Sequence, residues 1–427
     1  MNEFTEGRKV SFWRSAARRA WNDRTALWWL TGLAILARLV YVLVAGQAEL
    51  SWGDEFVYDQ LAHNLPQYKC FCFVEGQPTV WRAPLYPAML ALVYVIGHSH
   101  MAVLVIQALA GGLSAPLLVA IGSRLSGSRW VGLAAGLMFA LNPLVAFMTG
   151  LLYAETFYLL ILFVIVYAWV KLMDEPANWM ALAIGSGLLL GLSNLMKPNL
   201  LLFPIWLLVW GWAAFRKLSK AIVVSTVIGL AMLVAVLPWI VRNYLVTGEF
   251  VPISLSGSIA FYQGNNPRAA GGGIDETTEI DPLSGLSETE RSVVYRQWAT
   301  EWIRTHPADF ARLIPLKLYR FFSPLETSVR GQVVTSFSSL VYAGFALFYL
   351  LAIVGMIRTA GKWRRWLLVH MMIVYPALLT VVFYGGMRYG LVVQPFLMLF
   401  AAEALIALAS RLPVFSGFLS AGAEAKA

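Results

Sequence analysis

Long apolar runs recur along the whole chain and constrain it more than any other feature. They fall near 27–46, 101–122, 129–148, 151–171, 179–196, 199–215, 220–241, 337–357, 366–384 and 389–410. Most approach the ~20 residues that a helix needs to cross a bilayer. The stretch 84–97, from Pro84-Leu85-Tyr86-Pro87 to Gly97, is shorter and fits a half-span or interfacial helix. Only 13% of the residues are charged, 59% are hydrophobic, and the mean hydropathy is +0.67. A soluble domain carries about 25% charged residues. So few charges cannot cover a water-facing surface, and most of the surface must meet lipid. The expected class is an all-α polytopic membrane protein with about ten full transmembrane helices and one half-span.

Basic residues orient these spans. With the N-terminus inside and 84–97 not crossing, the short inner loops receive Arg124, Arg129, Lys171, Arg216, Lys217, Lys220, Arg358, Lys362, Arg364 and Arg365. Counting 84–97 as a full crossing would throw the 124–129 cluster outside and invert everything after it, against the positive-inside rule. The net charge of +9 is therefore a membrane signal, and nucleic acid is not an expected partner. The implied organisation is a basic cytoplasmic segment 1–26 and a transmembrane module 27–241 whose first outer loop is 47–83. A long outer loop 242–336, C-terminal helices 337–410 and a cytoplasmic tail 411–427 follow.

Within the long outer loop, Gly264-Asn265-Asn266-Pro267 and Gly271-Gly272-Gly273 cannot be regular helix. Ser287-Glu288-Thr289-Glu290 is a capping-box pattern that opens a helix through about Thr305. The run Phe310 to Phe322 sets Arg312, Lys317 and Arg320 among apolar residues, as in a helix lying on the outer surface. Cys70 and Cys72, with one residue between them, are poorly spaced for a mutual disulfide and read as loop thiols. His98 and His100, with no carboxylate near them in sequence, make no metal site.

Charges at membrane depth are costly and usually face a cavity or one another. Asp54-Glu55 opens the first outer segment and Glu155 begins a span from outside. Arg82, Lys197, Arg242 and Arg388 lie at the same level. Taken singly, each cation is explained as an interfacial snorkelling residue; together with the carboxylates they point to chemistry. Transfer of a sugar from a lipid-phosphate carrier needs a carboxylate to deprotonate the acceptor hydroxyl. It also needs fixed positive charge, best from arginine, for the departing phosphate.

These residues carry a resemblance. Trp52-Gly53-Asp54-Glu55 with Tyr58, Trp81-Arg82-Ala83-Pro84-Leu85-Tyr86-Pro87, Asn142-Pro143, Ala154-Glu155-Thr156 and Leu195-Met196-Lys197-Pro198 occur in order. Pro238-Trp239-Ile240-Val241-Arg242-Asn243-Tyr244 with Gly248-Glu249-Phe250, then Gly264-Asn265-Asn266-Pro267 and Arg388-Tyr389 with Pro395, complete the series. Over about residues 30–400 the chain resembles bacterial glycosyltransferases of the GT-C fold, the superfamily of protein O-mannosyltransferases and aminoarabinose transferases. The resemblance implies an inverting transferase of the bacterial inner membrane with its active site facing outward. It would move a hexose or pentose from a polyprenyl-phosphate donor to a hydroxyl of a lipid-linked glycan or another acceptor, the lipid-linked one being favoured because the sequence shows no soluble acceptor-binding domain. It implies Asp54 as general base, Glu155 lining the same cavity with Tyr58, Asn265 and Asn266, and Arg82, Lys197, Arg242 and Arg388 as cations for the donor phosphate. Two departures thin the positive charge: Lys197 stands where the family often has Arg, and Gly390 where it often has a second basic residue.

Other readings stay open at this point. Asp54 also suits the N-cap of a helix over Glu55 to Asn64, and Glu55 is the alternative base. Glu155 suits a helix N-terminus, Asn265 and Asn266 suit a turn, and Asp54 with Glu155 is compatible with a divalent cation. A flippase of lipid-linked glycans would spread ionisable residues through the membrane midplane. An O-antigen-type polymerase or ligase would concentrate its basic signal in the long loop. Deep in the first span, Arg38 is expected to pair with Glu403 of the last.

Overall fold

The computed structural model describes residues 23–45, 50, 53–97, 99–174, 176–273, 283, 285–323 and 339–413. The basic stretch through residue 22, Trp52, His98, residues 274–282 and the tail from 414 lie outside these.

Nearly everything described is helix. In chain order the elements are α1 (Asp23–Ala45), α2 (Gly53–Tyr68), a two-stranded hairpin of β1 (Cys72–Val74) and β2 (Gln77–Pro78), α3 (Leu85–Ile96), α4 (His100–Ser126), α5 (Arg129–Ala140) and α6 (Pro143–Thr149). There follow α7 (Glu155–Leu172), α8 (Trp179–Met196), α9 (Phe203–Phe215), α10 (Leu218–Thr247), α11 (Ser256–Gly264), α12 (Glu288–Thr305) and α13 (Pro307–Phe322). The chain closes with α14 (Ser339–Thr359), α15 (Trp363–Val382), α16 (Met387–Gly390) and α17 (Gln394–Ala409). The small hairpin was not foreseen.

Six of the described segments are long and apolar enough to cross a membrane, and the protein is a multi-pass membrane protein. One of them, Tyr342–Val382, runs for 41 residues. At ~1.5 Å per residue that is about twice the ~30 Å hydrocarbon core. A 3-10 turn at Ala360–Lys362 divides it, and both halves pack against α17.

Proline shapes the other spans. The run 129–148 is not one straight helix but α5 and α6, bent by 52°. Pro143 disfavours helix at the residue before it. Asn142 then caps α6 by accepting the Leu144 and Val145 amides at 2.9 and 3.0 Å. The run 199–215 begins with a 3-10 turn at Pro198–Leu200, and 389–410 divides into the one-turn α16 and α17, which starts at Gln394-Pro395. At 12 residues, α3 is the short element expected at 84–97.

Lipid does not drive helices together as water does, so close approach of backbones matters. One such close crossing joins α8 to α10, where Gly187 and Gly191 meet the second helix. A Cβ on Gly187 would lie 2.5 Å from the Ile228 carbonyl oxygen, and one on Gly191 2.8 Å from that of Met232. The buried core runs through α4, α7 and α17, with Trp169 stacked on Phe203 at 5.5 Å.

Outside the bundle, the capping box at Ser287 and Glu290 forms as expected and α12 runs to Thr305. Helix α13 departs from a purely superficial placement. Arg312 is exposed, whereas Lys317 and Arg320 are buried where α13 packs on α15 and α16.

Arg38 does not meet Glu403. Its guanidinium donates to Ala34 O at 3.0 Å, Phe139 O at 3.2 Å and Ala140 O at 3.3 Å, and it lies over the Phe139 ring. The break at Asn142-Pro143 ends the regular ladder of α5, and its last carbonyls retain lone pairs that accept from Arg38.

Candidate active site

Five helix ends converge near one end of the bundle. Asp54 is in the first turn of α2, Glu155 is the first residue of α7, Lys197 is the C-cap of α8, Arg82 precedes α3, and Arg388 lies in α16. Both carboxylates sit where a helix dipole favours negative charge. Arg82 Nη2 lies 2.9 Å from Asp54 Oδ1, and Arg388 Nη1 bonds the other oxygen, Oδ2. The Nε of Arg388 reaches Glu155 Oε1, which Lys197 Nζ also approaches at 2.7 Å. Thus three cations grip two carboxylates, and Arg388 belongs to both. Glu155 is fully buried, and its Oε2 has no hydrogen-bond partner among the described residues.

Aromatic rings wall the cluster. The Arg388 guanidinium lies 3.8 Å from the centroid of Tyr153, and Lys197 Nζ lies 5.1 Å from that of Tyr389. Tyr389 shares a 2.7 Å hydroxyl contact with Tyr384. One turn below Asp54, Tyr58 meets Tyr86 edge-to-face at 5.0 Å. Burial and the negative charge of Asp54 push its phenol up to about 12. Burial alone would raise the Asp54 carboxyl, but Arg388 and Arg82 outweigh it and hold it at about 2.

Adjacent residues on a helix do not share a face, and Glu55 has a different task. Its Oε1 accepts the Leu152 amide at 2.7 Å, fastening α2 to the turn that leads into Glu155. Arg242 likewise lies apart from the ion-pair cluster. It donates to Thr79 O at 2.7 Å and Phe71 O at 3.3 Å, with its guanidinium 4.7 Å from the Trp239 ring centroid. It braces the hairpin whose exit strand leads to Arg82. Asn265 and Asn266 hold the turn. The Asn265 amide donates to Phe261 O and Val382 O at 2.8 Å, and that of Asn266 to Tyr262 O and Gln263 O.

Three residues noted in the sequence make contacts that it did not foretell. Glu288 Oε2 accepts the Val80 amide at 2.8 Å and its Oε1 the Thr79 hydroxyl at 2.5 Å, tying α12 to the approach to Arg82. Lys317 Nζ donates to Asn265 Oδ1 at 2.8 Å and Val381 O at 3.0 Å, and burial lowers it to about 8. His100 does have a carboxylate, Asp59 Oδ1 at 2.9 Å, which also accepts the Tyr94 hydroxyl at 2.6 Å.

The two carboxylates of this donor set, Asp54 and Glu155, are engaged by lysine and arginine side chains. Among the described residues no three His, Cys, Asp or Glu side chains converge as ligands.

Comparison with known proteins bears on the fold that carries this arrangement. Residues 81–241 match the family described as dolichyl-phosphate-mannose-protein mannosyltransferase. The apo oligosaccharyltransferase of Archaeoglobus fulgidus superposes with a TM-score of 0.59 at 12% identity, over 94% of this chain and 52% of that one. The same organism's oligosaccharyltransferase AglB, solved with an inhibitory peptide and a dolichol-phosphate, gives 0.58 at 13% identity over the same shares. The chain has the GT-C fold. It spans about half the length of these GT-C structures. No curated protein matches it in sequence. In GT-C terms, the family match begins just before Arg82 and ends just before Arg242, and it includes Glu155 and Lys197. Asp54 and Arg388 lie on either side of it.

Proposed function

We propose that the protein is an inverting glycosyltransferase of the bacterial inner membrane, moving a sugar from a polyprenyl-phosphate donor to an acceptor hydroxyl on the extracytoplasmic face. The observation that carries this is the sharing of Arg388 between Asp54 and Glu155, with Arg82 and Lys197 on their other sides. A carboxylate and several cations gathered beside apolar helices suit a phosphate headgroup on a lipid tail. The basic short loops support a reading in which this end faces outward and 47–83 and 242–336 are extracytoplasmic.

Chemistry follows from the same contacts. A sugar–phosphate–polyprenyl diester carries one negative charge, and the departing phosphate carries two. That second charge develops in the transition state, where fixed cations act. Arg82 and Arg388 turn their forks from Asp54 to the phosphate as the donor enters. Asp54, held at about 2 by those cations, is a poor base until they are drawn away. Once relieved, it takes the proton of the acceptor hydroxyl. The hydroxyl oxygen bonds to the anomeric carbon while the bond to the phosphate oxygen breaks on the opposite side. Glu155 Oε2 offers an acceptor to a sugar hydroxyl.

Purified protein in nanodiscs, given radiolabelled sugar on defined polyprenyl phosphates, tests this reading. Transfer that disappears with Asp54→Asn and Arg388→Ala supports it. Full transfer by both variants, or none from any donor by the wild type, overturns it.

A further inference from the structure

The motif Gly248-Glu249-Phe250 plays no part in the ion-pair cluster, yet its geometry is specific. Gly248 ends α10 in the left-handed region at φ 72°, which L residues disfavour, and its amide returns to Tyr244 O at 2.8 Å. The turn sends Glu249 and Phe250 to the edge of a cavity of about 190 Å³ between the 249–255 segment, α11 and α12. Ser254 and Ser258 line one side, and Thr289, Ser292 and Arg296 the other. Phe250 stands 73% exposed.

We infer that this cavity binds one sugar ring of a glycan acceptor, a proposal that rests on the transferase reading above. Size is the first argument. The space equals about six waters at ~30 Å³ each, below the ~300 Å³ of drug-sized sites and suited to a single ring. Lining is the second. Four hydroxyls, one carboxylate and one guanidinium offer the mixed donors and acceptors that a polyol needs. An isoprenoid would find too little apolar wall, and Glu249 opposes a phosphate. The exposed Phe250 ring supplies a flat face for the C–H side of a pyranose. Position is the third argument. The cavity wall is stitched to the arm of the active site, with the Leu255 amide donating to Val80 O at 3.0 Å and the Ser256 amide to Trp81 O at 3.1 Å. Trp81 adjoins Arg82, so a sugar seated here lies next to the segment that presents a cation to Asp54. The ring held would belong to the acceptor, since the donor's sugar must lie at the ion-pair cluster itself.

The test is saturation-transfer NMR of full-length protein in nanodiscs with a panel of methyl glycosides, with no donor present. At least one glycoside should bind the wild type. Binding should weaken about tenfold in Arg296→Ala, the loss expected for a hydrogen bond to a charged group. Phe250→Ala should weaken it comparably, and Asp54→Asn should leave it intact. Thermal melts of each variant confirm folding, and both pocket side chains are exposed. If no glycoside binds, if binding survives both pocket variants, or if it is lost in Asp54→Asn, the pocket assignment is overturned. If glycosides bind as stated but no polyprenyl-phosphate donor is turned over, the transferase reading fails instead.

Discussion

Arg388 reaches Asp54 across 334 residues of sequence with one terminal nitrogen, while its Nε edge holds Glu155. Only a guanidinium presents two separate edges to two carboxylates at once. Arg388→Lys keeps the charge but can serve one carboxylate at a time. We expect it to lower turnover about 10²-fold, in the range for loss of a transition-state donor. Arg82→Lys should cost less, because Arg82 meets Asp54 through a single nitrogen. Turnover numbers for the two variants decide this. Equal losses, or full activity in Arg388→Lys, would show that the bridge plays no part in the reaction.

The depressed Asp54 carboxyl has a consequence for pH. A carboxylate held at about 2 in the folded protein contributes its ion pairing fully above its ordinary value near 3.8, and loses it as pH falls through about 2. Between pH ~4 and ~8 the free enzyme should therefore show no acid limb in kcat/KM from this group. Removing one of its two arginines raises its proton affinity. In Arg82→Gln an acid limb should enter the measurable range, and in Arg82→Lys it should stay out. A wild-type limb near pH 5 to 6 that does not move in Arg82→Gln would belong to another group.

Much of this was legible from sequence because charge is scarce in a membrane protein and each charge is informative. Asp54, Arg82, Glu155, Lys197 and Arg388 stand out as cations and carboxylates at span ends, and the fold brings all five together. Arg242 stands out in the same way, and only the structure separates it. Its task is set by the carbonyls of Phe71 and Thr79, which belong to a hairpin too short to leave a periodic signal. Backbone carbonyls are invisible to charge counting. The same blindness explains Arg38, whose partners are main-chain oxygens, the amide nitrogen of Asn265, which donates to two more, and Glu288, half of whose role is to hold the Val80 amide.

Arg242 is thus a brace. Arg242→Ala should release the hairpin carbonyls and cost about 1.5–3 kcal/mol in stability, the range for charge-assisted hydrogen bonds. Because the braced strand leads to Arg82, donor KM should rise while turnover at saturating donor changes little. Arg242→Lys keeps one of the two carbonyl contacts and should restore part of the stability. Thermal melts and donor titrations read both effects. Loss of turnover with unchanged melting and unchanged KM would return Arg242 to the phosphate site.

Arg38 allows a similar separation deeper in the bundle. It is fully buried, and its bonds to Phe139 O and Ala140 O tie α1 to the end of α5, at the bend that Asn142 and Pro143 create. Those carbonyls lie in the part of the chain with no water to replace a lost donor, where an unsatisfied group costs about 1–3 kcal/mol. Arg38→Met should therefore lower the melting temperature sharply while leaving donor affinity unchanged in the fraction that folds. Arg38→Lys should recover only part, since one ammonium cannot reproduce a fork spread over carbonyls of two helices. Exchange with Glu403 distinguishes this role from an ion pair. In the double variant Arg38→Glu with Glu403→Arg, a carboxylate would face carbonyl oxygens and repel them, so the double variant should be less stable than Arg38→Met. Recovery of wild-type melting in that double variant would mean that Arg38 and Glu403 are partners and that the carbonyls of α5 are satisfied some other way.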